Sequence, residues 1–200
     1  MKIARVKMKS LSPYSQSRAH AEPKLDGEKE SADDYERRTW RARCHTTPEG
    51  KIYIPPMAFK HALSEAAAYL SEKIPGKRNA TWTKHFLAGV LVTKGPVLDI
   101  TKDEVEGEWV YAHANGQRGS GTRVMRCFPI IPQWEAEVTF VILDELINRD
   151  AFTRHIQEAG NFIGIGRFRP RNGGFLGRFS ADVVEWKDKV STDEVRDLAA

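Results

Sequence analysis

The 200-residue chain is poor in cysteine, with only Cys44 and Cys127. Two thiols so far apart make neither a disulfide framework nor a zinc site, and they read as free thiols of a reducing compartment. Histidine and cysteine nowhere recur at ligand spacing, so no metal is expected. No apolar run approaches the length of a membrane span. The start, MKIARVKMKS, carries charge where a signal peptide would be apolar. The chain therefore reads as cytoplasmic, with no membrane partner. Its glycine run lacks the Lys-Ser/Thr ending of a phosphate-binding loop and follows a helix pattern where a dinucleotide fingerprint would precede one. No cofactor is expected. Nor is there a helix-turn-helix or zinc finger for reading a duplex groove.

Acidic residues are also missing from long stretches. None occurs in Met1–Ala21, Lys73–Leu98, Val110–Trp134 or Gly160–Ala181, whereas Glu22–Glu36 gathers negative charge. The net charge is only +4, so its layout says more than its size. A basic face and an acidic loop are the expectation.

Hydrophobic periodicity orders the rest. Ala4, Val6 and Met8 alternate with Arg5, Lys7 and Lys9, which predicts a strand with one apolar and one basic face. Residues 14–36 show little periodicity and read as a long, acidic, mobile loop. A second strand is expected from Trp40, setting Arg41, Arg43 and His45 opposite Trp40, Ala42 and Cys44. A turn at Thr47–Gly50 leads to a short strand at Lys51–Ile54. Pro55 and Pro56 open a helix whose stripe is Phe59, Ala62, Leu63, Ala66, Ala67 and Leu70, ended by Pro75-Gly76. Lys77–Phe86 is a basic piece holding Trp82, followed by strands at Gly89–Val92 and Val97–Ile100.

Residues 109–128 read as an inserted hairpin with a flexible basic tip, NGQRGSGT. Trp134–Leu143 is a long strand, Asn148 caps a helix stopped by Gly160, and Ser180–Trp186 is the last strand. Residues 187–200 are a charged tail, a short helix or disordered. Without its insertions the order is β-α-β-β-α-β, an α+β, ferredoxin-like single domain over residues 1–186, the architecture of RNA-recognition modules.

The run GIGRFRPRNGGFLGRF, Gly164–Phe179, concentrates the chemistry. Gly164, Gly166, Gly173 and Gly174 let the backbone turn and a ligand approach. Arg167, Arg169, Arg171 and Arg178 offer forked donors suited to phosphate, and Phe168 and Phe175 offer faces for bases. Around it, Arg5, Lys7, Lys9, Arg41, Arg43, Lys60, Lys77, Arg78, Arg118 and Arg123 are the expected phosphate contacts. Trp82 is a further stacking residue, while Trp40, Trp134 and Trp186, on apolar strand faces, read as core.

The basic first strand, the YIPPMAFKHALSEAA segment and the G-I-G-R-x-R-P-R-N-G-G loop before the final strand resemble the repeat-associated mysterious protein (RAMP) superfamily. That superfamily holds the backbone subunits and precursor-RNA-processing endoribonucleases of CRISPR systems. The resemblance implies a ferredoxin-like fold and a glycine-rich loop that contacts nucleic acid after the second helix. It also places Lys60 at the basic entry to the first helix. The length suits a compact, strand-coating relative of the kind a virus or mobile element encodes.

The expectation is sequence-tolerant binding of single-stranded RNA or DNA, without catalysis, by side-by-side copies forming a homo-oligomer or filament. The alternatives are a metal-independent endoribonuclease using His20 or His45 as acid or base, and a structural subunit of a larger complex.

Overall fold

The computed structural model describes residues 1–25, 30–114 and 121–199. It is an α+β protein with antiparallel sheets. The main sheet contains β1 (Lys2–Ser10), β4 (Val90–Val92), β8 (Glu135–Ile142) and β9 (Phe179–Lys187), in the order β4-β8-β1-β9. Every neighbouring pair is antiparallel, with Val6 opposite Val138 on β8 and Val183 on β9. One face of this sheet carries α2 (Pro56–Leu70) and α4 (Arg149–Glu158). Ala4, Val6 and Met8 meet Phe59, Leu63, Phe140, Phe152, Ile156 and Phe179 in a single core.

The opposite face has mixed charge, because the register sets a carboxylate beside each predicted cation. Lys7 and Lys9 reach Glu135 at 2.7 and 3.1 Å, and Arg5 reaches Glu185 at 3.2 Å. Opposite charges across strands attract, so the face expected to be basic is largely neutralised.

A second sheet pairs β2 (Tyr14–Ser15) with β7 (Arg123–Ile131), which forms the predicted hairpin with β6 (Glu106–His113). Most of that hairpin's tip, Arg118 included, lies outside the described residues. β3 (Lys51–Tyr53) pairs with β5 (Val97–Thr101). No described helix is long and apolar enough to cross a membrane.

Several expectations need correction. The acidic segment is not one loop: Tyr14 and Ser15 join a sheet, and Ala32–Thr39 is a helix, α1. Ser31 caps it by accepting from the Asp34 N–H at 3.1 Å, with Asp33 and Asp34 in its first turn and Arg37 and Arg38 in its last. The strand expected at Trp40 is instead a 3₁₀ turn, Trp40–Arg43, continuing that helix. α2 stops at Leu70, where Ser71 takes a left-handed φ of 50°, ahead of Pro75-Gly76. Gly160 does not end α4: a π-helical turn runs on through Ala159–Ile163, and a side chain at 160 would collide with the Phe179 carbonyl. The basic piece at Lys77 leads into a short helix, α3 (Thr83–Gly89), and the tail includes α5 (Thr192–Ala199).

Two predicted contact residues belong to the interior. Trp82 is buried edge-on against His85, Phe86 and His155. Lys60 is buried too, and its ammonium donates to Ser64 Oγ at 2.7 Å and to the Phe86 and Leu87 carbonyls at 2.9 and 2.7 Å. It ties α2 to the end of α3, and burial pulls its pKa below 10.5.

His155 is fully buried, stacked on Phe86 at 4.4 Å, and donates Nδ1–H to the Ala151 carbonyl at 2.7 Å. Its Nε2 is left without a partner among the described residues. Burial holds its pKa below 6.5, so the unfolded chain takes up a proton that the folded chain refuses. The contribution of His155 to stability should be flat above about pH 6.5 and fall as pH drops through that value. Urea midpoints between pH 7.5 and 5 measure this, and His155→Phe should shrink the fall; an identical fall in the variant would remove His155 as its source.

Candidate nucleic-acid interface

The π-helical turn delivers the chain into the glycine-rich loop. Phe168 accepts from Leu176 N–H at 3.1 Å, Arg169 from Gly174 N–H at 3.0 Å, and Gly177 from Ile165 N–H at 2.9 Å. The loop is therefore folded on itself. This requires glycine at 177, where φ is 76° and a Cβ would strike the Ile165 carbonyl, and at 174, where it would strike the Phe168 carbonyl. Two further bonds, Gly177 N–H to Pro13 O at 2.8 Å and Arg167 N–H to Ser15 O at 2.9 Å, pin the loop beside β2.

The loop arginines are unopposed in sequence but have partners in space. Arg167 pairs with Glu108, donates to Ser15 Oγ at 3.1 Å and lies 4.1 Å over the Phe128 ring. Arg169 pairs with Glu65 of α2 at 2.8 Å. Arg178 donates to the Asn161 carbonyl. These three hold the loop to the body. Arg171 is half exposed, 3.8 Å from Glu65 and 5.9 Å from the Tyr69 ring, and its guanidinium is the one best placed for solvent-borne phosphate.

Four aromatic rings stand out of this surface. Tyr69 is 53% exposed, Phe162 48%, Phe168 39% and Phe175 56%. They form two pairs, Tyr69–Phe162 at 5.6 Å and Phe168–Phe175 at 5.8 Å, with Arg171 on the segment between. Such faces, costly to leave in water, are suited to flat, weakly hydrated partners such as nucleobases. Tyr69 and Phe162 do not stand out in the sequence. The usable signal is that Tyr69 falls off the apolar stripe of α2, and that Phe162 lies two residues before the glycine run.

The remaining predicted residues are scattered. Arg43 is drawn inward: it pairs with Glu36 at 3.1 Å, and Arg126 pairs with the same carboxylate at 2.9 Å. Glu36 is fully buried and also accepts from Cys127 N–H at 2.8 Å. Arg41 lies over Trp40 at 4.3 Å and is exposed. Lys77 and Arg78 are exposed on the turn after α2, and Arg123 at the outer end of β7.

The two candidate histidines make their ring contacts with other residues than these four. His20 approaches Arg43 with Nε2 at 3.3 Å and stacks on Tyr35. His45 lies edge-on to Tyr53, beside Gly166 and Arg167 in a cleft of about 300 Å³. Burial lowers both pKa values, helped by Arg43 for His20 and by Arg18 for His45. Burial pushes both thiols up to about 11, so neither is a thiolate near neutrality.

No protein-family model and no curated protein matches the sequence. Solved structures do match. A chain from a structure described as the type III-B Cmr-beta bound to cognate target RNA aligns with a TM-score of 0.51 and 15% identity, over 92% of this chain and 61% of that one. Cmr6 from Pyrococcus furiosus aligns at 0.49 and 14%, over 90% and 98%. A chain of a CRISPR RNA-guided surveillance complex aligns at 0.36 and 10%, over 97% and 80%. In fold, this chain is similar to the chain from the Cmr-beta structure, and it spans 61% of that chain's length.

Proposed function

We propose that this protein binds single-stranded nucleic acid, RNA foremost, and works as one subunit of a multi-subunit assembly on that strand. The observation that carries the reading is the paired-aromatic surface around Arg171. Rings that stand free can stack on splayed bases whatever their identity, which favours single strands and tolerance of sequence. The likeness of fold to a chain from an RNA-bound CRISPR complex supports RNA over DNA. The order β4-β8-β1-β9 supports a ferredoxin-like core, since it sets the second, third, first and fourth strands of a β-α-β-β-α-β series side by side. In this reading the strand is held and not cut, and copies of the chain lie side by side along it.

The test is a titration with RNA, single-stranded DNA and duplex of one sequence, with mass read alongside affinity. RNA should bind most tightly and remain full length. Arg171→Ala should weaken binding to unrelated sequences alike and reduce the salt slope by about one, the share of a single phosphate. Duplex binding as tight as single-strand binding, or an unchanged slope, would overturn the assignment.

A further inference from the structure

A groove of about 640 Å³ opens beyond the glycine-rich loop, between the segment around His20, the 3₁₀ turn and Lys102. It shares no lining residue with the His45 cleft: Gln16, Ser17 and His45 line the cleft, whereas Arg18, His20, Cys44 and Thr46 line the groove. Its volume falls within the roughly 300–1,000 Å³ of small-molecule sites.

Its cations are not spent. Arg38 on the rim is taken by Glu30, but Arg18, Arg41 and Lys102 make no ion pair among the described residues. Glu22 and Asp103 also line the groove, leaving three free cations against two carboxylates. Behind the wall, Arg43 and Arg126 share the single charge of Glu36, which adds a further positive charge to the floor.

His20 lines the same groove. A guanidinium can only donate, so His20 Nε2 must accept from Arg43, and the ring's proton lies on Nδ1. That Nδ1–H is buried and has no acceptor among the described residues. His20 is therefore a neutral ring in the groove lining and offsets none of the positive charge around it.

We propose that this groove is a second ligand site, independent of the aromatic surface, that binds the phosphate of a nucleotide-sized ligand. Arg18, Arg41 and Lys102 contact the phosphate. The phosphate has two possible carriers, a free nucleoside monophosphate or the phosphorylated end of a strand.

The experiment is calorimetric titration of adenosine 5′-monophosphate and adenosine into the wild type and an R18A/R41Q/K102A variant. Oligonucleotides with 5′-phosphate and 5′-hydroxyl ends are titrated in parallel. The monophosphate should bind the wild type saturably and at least about tenfold more tightly than adenosine, with a loss of at least about tenfold in the variant. If the strand end is the carrier, the 5′-phosphate should strengthen oligonucleotide binding in the wild type only. If the free nucleotide is the carrier, the two oligonucleotides should bind alike. In either case 5′-hydroxyl binding should survive in the variant, because the aromatic surface is untouched, so failure here is separable from failure of the strand-binding reading. No saturable binding of the monophosphate together with equal binding of the two oligonucleotides, or equal binding of the monophosphate by wild type and variant with no 5′-phosphate advantage in the wild type, would overturn the proposal.

Discussion

Glu36→Gln should destabilise the fold by about 3–5 kcal/mol, the range for removing one partner of a buried ionic cluster. The carboxylate is fully buried and accepts from two guanidinium groups and the Cys127 N–H. An amide of the same size leaves Arg43 and Arg126 without a counter-charge and turns an N–H donor towards groups that can only donate. Both arginines retain some solvent, with side chains 12% and 28% exposed, which argues for the lower end. A domain of this kind has about 5–15 kcal/mol in hand. The urea midpoint should therefore fall sharply with an unchanged m-value. A midpoint equivalent to a loss under about 1 kcal/mol would mean that water already compensates the pair.

The largest functional effect is expected from the triple variant Tyr69→Ala, Phe162→Ala and Phe175→Ala. Each ring is about half exposed, so the fold should lose little. Base-aromatic stacking is worth about 1–3 kcal/mol per base, and three rings at the low end amount to about 3 kcal/mol, or roughly 150-fold in affinity. The rings carry no charge, so the salt slope should stay at its wild-type value, the opposite signature to Arg171→Ala. Fluorescence anisotropy with a labelled oligouridine at several salt concentrations separates the two. Affinity within threefold of wild type would leave the aromatic surface without a role in binding.

How much of this is legible in the sequence depends on what does the burying. β1, α2, β8 and β9 bury apolar side chains at regular intervals, so alternation and the three-four stripe locate them, and Asn148 marks the start of α4 through its cap. α1 escapes because its buried positions are Glu36 and Thr39. These are held by ion pairs and a hydrogen bond to the Tyr35 carbonyl, and polar residues leave no hydrophobic period.

The candidate site divides in the same way. Glycine and arginine content marks the loop, but Glu65 and Glu108, which claim Arg169 and Arg167, lie 104 and 59 residues away in the chain. No local window shows that pairing, and the cations on β1 are offset by β8 and β9 for the same reason.

The place of β1 in the main sheet has a consequence for how the molecule is made. β1 is flanked by β8 and β9, two strands that follow it far along the chain. Ala4, Val6 and Met8 cannot be enclosed until residue 179 and beyond have been synthesised, and a nascent chain ending earlier lacks one wall of its own core. Pairing across such separations carries a loop-closure penalty before any contact repays it. The architecture therefore makes closure of this core a late event, in which the glycine-rich loop is closed by the same step that completes the sheet.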